Sequence, residues 1–233
     1  MITCTVCHAE NHHLAIVCTQ CRGYLQTRVD ALDLFATAWR VIDKPKKAFH
    51  RISVAQHKNY TYVLSAIAGI ALVFFIFWLM NAGEYTSSLI NILGAGFTVG
   101  PIIGIITVLV YSFILKIMMK VFKADSSFRN VVAVNAYALV PIVISVVLVL
   151  PIELMTFGSF FFSKNPSPLM LKPTSYIILL GLDGLFALWG IVLLIIGTNV
   201  LMSKGWIKSL STTVISLGLV AVIIASILLQ LLP

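Results

Sequence analysis

Charge is what this chain lacks. Charged side chains make up 10% of its 233 residues and only eight are acidic, against roughly 25% charged in an average soluble domain. With 60% hydrophobic residues and a mean hydropathy of +1.03, a soluble single-core protein is excluded. The signatures of common catalytic sites are missing as well: there is no H-E-x-x-H, no Gly-rich phosphate loop and no pair of carboxylates inside an apolar run. Non-enzymatic function is the resulting expectation. No secretory leader is expected within the first 25 residues, because Cys and His interrupt them and no apolar core of signal-peptide length forms there. Cysteine is absent everywhere beyond Cys21.

What fills the chain instead is a series of apolar runs. Tyr60 to Met80, Phe97 to Met119, Val131 to Leu150, Tyr176 to Asn199 and Lys208 to Leu232 each reach the roughly 20 helical residues that cross a 30 Å hydrocarbon core. The fold class expected is an all-α polytopic membrane protein. It comprises five transmembrane helices preceded by a small cytoplasmic zinc ribbon and an amphipathic helix. The expected division is a ribbon over 1–26, a juxtamembrane helix and basic hinge over 27–58, and a five-helix membrane domain over 59–233.

The net charge of +8 raises nucleic acid or an anionic membrane surface as partners, and the positions of the basic residues decide between them. Arg22, Arg28, Arg40, Lys44, Lys46, Lys47, Arg51 and Lys58 precede the first span. Lys116, Lys120, Lys123 and Arg129 lie between spans two and three, and Lys204 and Lys208 between four and five. The opposite side holds Lys164 and Lys172, with Glu84 and Glu153 assigned to its loops. Fourteen basic residues against two place the N-terminus in the cytoplasm and the C-terminus outside, since Lys and Arg are retained on the cytoplasmic side. The basic excess is mostly topological, and no nucleic-acid partner is expected.

Cys4, Cys7, Cys18 and Cys21 form two C-x2-C pairs ten residues apart, a spacing that lets two knuckle turns close one tetrahedral site. Zinc suits four thiolates, and so short a segment needs a staple to fold. One structural zinc is expected, with four-thiolate iron and two disulfides as the alternatives; the disulfides conflict with a reducing cytoplasm. His8, His12 and His13 are read as loop residues.

From Thr27 the pattern turns helical, with Val29, Leu32, Phe35, Trp39 and Ile42 recurring at helical steps. Thr27 and Asp30 resemble a capping pair, and Pro45 is expected to end the helix. Lys46 and Lys47 follow in a basic hinge. Val29, Leu32, Phe35, Trp39, Lys46 and Lys47 are therefore candidates for contact with membrane lipid or with an unidentified cytoplasmic protein. Packing of the same helix on the chain's own spans is the competing reading.

Within the spans, Gly96, Gly100 and Gly104 make a doubled small-xxx-small pattern for close helix approach, either inside the bundle or in a homo-oligomer. Pro101 in their midst is expected to kink the helix or delay its start. The candidate intramembrane polar residues are Asn135, Asp183 and Asn199. Asp183 is expected to be the one acidic residue inside a span, either a functional group or a hydrogen-bonded packing element.

The stretches DLFATAWRVIDKPKKAF, NAYALVP and ALWG to NVL, in that order and within a five-span layout, resemble the Yip family, named for its interaction with Ypt/Rab GTPases. More narrowly, the chain is similar to bacterial members that carry an N-terminal zinc ribbon. The resemblance covers roughly residues 27 to 232. It implies partner recruitment, membrane traffic or membrane shaping, and a bacterial inner-membrane location for this subgroup. The Rab partner itself does not carry over to bacteria. The functional expectation is a non-enzymatic membrane scaffold or adaptor. Its alternative is a small transporter or lipid- or ion-handling protein using Asp183 and the span asparagines.

Overall fold

In the computed structural model, the residues described are 2–4, 6–12, 15–23, 25, 32–55, 57–86 and 88–231. Two short strands, β1 (Ile2–Thr3) and β2 (Glu10–Asn11), pair antiparallel with Ile2 opposite Asn11 and Thr3 opposite Glu10. They are followed by α1 (Leu34–Asp43) and α2 (Pro45–Val54). Next come α3 (Thr61–Leu79), α4 (Leu89–Val121), α5 (Phe128–Ala138), α6 (Val140–Phe157), a short α7 (Pro168–Leu171), α8 (Pro173–Met202) and α9 (Trp206–Leu231). Among the described residues, five helical segments are long and apolar enough to span a bilayer, with α5 and α6 together forming the third. This is an integral membrane architecture of five apolar helices.

The juxtamembrane elements differ from what the sequence suggests. Helix α1 starts at Leu34 and is capped by Asp33, whose carboxylate accepts from the Ala36 amide at 2.8 Å; Val29 and the Thr27 and Asp30 pair lie outside the described residues. The expected hinge is itself a helix. Pro45 does break α1, but it then serves as the first residue of α2, where a missing N–H costs nothing.

Helix α2 buries Ala48, Phe49 and Ile52 against α5 and α8, and Phe49 is fully enclosed. Lys58 then fixes the end of α2, its ammonium donating to the carbonyls of Ile52 at 2.6 Å, Ala55 at 2.9 Å and Ser53 at 3.3 Å. The Tyr137 hydroxyl donates to the Asn59 carbonyl at 2.7 Å. The juxtamembrane helices are thus docked on one end of the bundle.

The third span also exceeds its expected limit. α6 runs through Pro151 to Phe157, because a proline inside an apolar helix is tolerated where neighbouring helices supply the packing. Glu153, assigned from the sequence to a loop, therefore lies inside a membrane helix and is buried, with 2% of its surface exposed. At Leu139 the α5–α6 junction tightens, and Pro141 is at the start of the new helix.

Bilayer helices gain little from burying apolar surface against each other, so close packing must hold them. α3 and α4 meet backbone to backbone. A Cβ on Gly69 would fall 2.2 Å from the Gly100 carbonyl oxygen, one on Gly104 2.2 Å from the Ser65 carbonyl oxygen, and one on Gly100 2.7 Å from the Ile70 Cα. Gly96 lies under the Phe74 ring, at 2.4 Å by the same measure. The glycine pattern of α4 is thus consumed inside the chain, on α3, and does not form an outward dimer face. α4 also begins at Leu89 and passes through Pro101, so the expected late start does not occur.

Replacing Gly104 with valine should lower the stability of the detergent-purified protein by about 1–3 kcal/mol, the range for overpacking. Gly94→Val, on the same helix but with open space at its Cβ, should leave thermal unfolding nearly unchanged. Equal effects of the two would contradict the seam.

Candidate functional site: the cysteine head and the polar groups of the bundle

The first C-x2-C pair sits on the turn after β1 and the second on an equivalent turn near the Cys18–Cys21 segment. Each turn has the same construction. The residue after the second cysteine takes a left-handed conformation (His8 φ 55°, Arg22 φ 54°) and returns a backbone hydrogen bond to the first, His8 to Cys4 at 2.9 Å and Arg22 to Cys18 at 3.0 Å. His8 and Arg22 thereby act through their backbones, as parts of the turns.

The four sulfurs lie within 4.8 Å of one another, with Cys4 and Cys21 at 3.6 Å and Cys7 and Cys18 at 3.5 Å. Both separations are far beyond a disulfide bond of about 2.05 Å. They approach the roughly 3.8 Å edge of a tetrahedron with metal–sulfur bonds near 2.3 Å. Nitrogen donors point at the sulfurs: the amides of Val6 and Gly23 reach Cys4 and Cys21 at 3.4 Å, and the Asn11 side chain reaches Cys18 at 3.5 Å. Such donors favour thiolate. The Cys21 amide leads in holding the Cys18 thiol down to about 6, and the amides of Cys7 and Val6 lower Cys4. At Cys7 the pull of the Ala9 backbone is outweighed by the crowding sulfur of Cys21, burial and the sulfurs of Cys18 and Cys4, which push that thiol up to about 12. Four thiolates so close repel one another unless a cation sits among them, so the donor set fits a metal ion.

Asn11 carries no signal in the sequence, yet it ties the two turns together. It is buried, donates to the Ala9 carbonyl at 2.8 Å, and accepts from both the amide and the hydroxyl of Thr19 at 3.0 Å. Only its place between the cysteine pairs could have suggested it.

The proposed surface residues separate into two groups. Phe35 and Trp39, one helical turn apart on α1, are 84% and 71% exposed, while Thr37 and Val41 on the other face are buried. Lys46 and Lys47 are exposed on α2. Leu32 is not part of this face: it is buried in the core with Val41 and Phe49, because the chain turns inward before the Asp33 cap.

The intramembrane polar residues are not brought together. The Asn135 side chain donates to the Ser112 hydroxyl at 2.9 Å, joining α5 to α4. Asn199 accepts from the Ser209 hydroxyl at 3.2 Å, joining α8 to α9, and the Thr213 hydroxyl donates to that of Thr198 at 3.1 Å alongside. Asp183 on α8 accepts from the Ser145 hydroxyl on α6. Each is an interhelical hydrogen bond of the kind that joins helices in lipid. Asp183 has one further neighbour, Glu153, which corrects both the expectation of a single acid in the spans and that of no paired membrane carboxylates.

A family model described as the Yip1 domain matches residues 39–229. The chain belongs to the Yip1 family. The match begins within α1 and ends within α9, so the docked helix α2, the first four spans and nearly all of the fifth lie inside the Yip1 domain, and the cysteine head precedes it. No curated protein and no solved structure matches the chain.

Purified protein should carry close to one metal ion per chain, and Cys7→Ser or Cys18→Ser should each lower that content by more than half in elemental analysis. Asn11→Ala should weaken the head by about 1–3 kcal/mol, the cost of stranding buried partners. Metal-free protein with two intact disulfides would contradict the site.

Proposed function

We propose that this Yip1-family protein is a non-enzymatic membrane scaffold or adaptor, in which a zinc-clipped cytoplasmic head and the outward face of α1 recruit a cytoplasmic protein beside the inner leaflet. The observation that carries the reading is the pair Phe35 and Trp39. Two large apolar rings stand 84% and 71% exposed on a helix whose other face is fixed to the bundle, and exposed aromatic side chains of this kind mark interaction surfaces. Lys46 and Lys47 flank them with positive charge, suited to anionic lipid.

The head lies inside on this reading, following the distribution of Lys and Arg. A four-thiolate site belongs there as a structural zinc site with no open position for chemistry. The family's membership supports a protein-interacting membrane role, and the bacterial inner membrane is the location we assign. Transport through Asn135, Asp183 and Asn199 is less well supported, since each is occupied at a different helix pair.

A photo-crosslinking residue at position 39 of the full chain, in native membranes, should capture a cytoplasmic protein. Deletion of residues 2–25 or Phe35→Ser should reduce that product several-fold. Crosslinks confined to lipid, or to a protein of the opposite compartment, would contradict the adaptor reading or its orientation respectively.

A further inference from the structure

Between α3 and α8, with α6 as its floor, lies a cavity of about 510 Å³, within the size range of small-molecule sites. Its walls are apolar apart from Ser145, Glu153 and Asp183, and none of the described residues that line it is basic. Small residues leave the room: Gly184 and Ala187 of α8 line it and are exposed on the flank of the bundle. At the end remote from α1 and α2, Phe162 stacks on Phe74 at 5.8 Å and the Trp78 indole donates to the Tyr176 hydroxyl at 3.1 Å. Of that ring cluster Phe74 and Trp78 line the groove, and Leu180, Gly184 and Ala187, exposed within the apolar span of α8, lie along its open side, which therefore faces the hydrocarbon slab.

The polar groups inside it are incompletely satisfied. Ser145 donates to Asp183, and the Glu153 carboxyl lies against that of Asp183. Glu153 is 2% exposed, and its Oε1 has no hydrogen-bond partner. A buried carboxyl oxygen without a donor is costly, and two adjoining carboxyls favour any cation placed beside both. Positive charge and a donor for Glu153 Oε1 are what the described site lacks, and an entrance from the lipid side selects a ligand dissolved in the membrane.

We propose that this groove is a binding site for a membrane-dissolved amphiphile with an ammonium headgroup, which the Glu153 and Asp183 carboxyls receive while its chain lies along α3 and α8. The site is independent of the α1 surface and adds a ligand-handling function to the scaffold.

Trp78 lines the cavity and serves as the reporter. With the full chain in phosphatidylcholine nanodiscs, 11,12-dibromododecylamine should quench the Trp78-dependent fluorescence, defined by comparison with Trp78→Phe, in a saturable manner. Its half-point should be at least about tenfold below that of 11,12-dibromododecanol, a difference of about 1.4 kcal/mol. The preference should vanish in the Glu153→Gln, Asp183→Asn double variant. Ala187→Phe, which fills the groove and keeps both carboxyls, should abolish saturation and provides the test if the double variant does not fold. Equal half-points for amine and alcohol would show that the carboxyls only pack helices. Saturable quenching that survives Ala187→Phe, or amine preference that survives in a folded double variant, would equally overturn the site.

Discussion

The backbone contact between α3 and α4 is the constraint on which the rest of the bundle depends. In lipid, neither helix gains from hiding apolar surface, so the stabilising term is dispersion between closely fitted atoms together with a few interhelical hydrogen bonds. Gly69, Gly100 and Gly104 bring the two backbones within distances that any side chain would forbid. Once α3 is fixed on α4, Ser65 and Leu64 are buried at one end and Phe74 at the other, where it meets Phe162. The third span then packs across the pair, and α8 closes on α6.

Polar side chains lock the helices that the glycine seam does not reach. Asn135 with Ser112, Asp183 with Ser145, and Asn199 with Ser209 join three different helix pairs. Read along the chain these residues look like fragments of a polar path. In three dimensions they are separate fasteners, and only Asp183 has a second acid beside it. That exception matters because Glu153 is left with an oxygen unpaired, a feature that structural fastening does not explain and ligand capture does.

Much of this was legible in the sequence. Hydrophobic length alone identifies the five spans, and the C-x2-C spacing identifies the sulfur cluster, because both rest on rules local to a few residues. The misplaced features are those that depend on partners distant in the chain. Pro151 looked like the end of a span, but the apolar run Ile152, Leu154 and Phe157 continues the helix and carries Glu153 inside. Leu32 fits the same helical spacing as Phe35 and Trp39, yet the cap at Asp33 separates it from their helix and sends it into the core. Pro45 marks a boundary correctly without revealing that the far side is also helical. Asn11 has no local pattern; its role exists only when two turns face each other.

Docking of α2 on α5 and α8 is what turns the juxtamembrane segment from a helix free on the leaflet into a rigid mount for Phe35 and Trp39. Phe49 is fully enclosed there, against Gly197 and Val134, and Lys58 closes the last carbonyls of the helix. Amide hydrogen exchange of the full chain in nanodiscs tests this most directly. The structure predicts that amides of α2 are protected to the same degree as those of α5, since both open only when the bundle opens. Exchange of α2 orders of magnitude faster than α5, with the spans still protected, would mean that the segment lies loose on the membrane and that no fixed recruiting face exists.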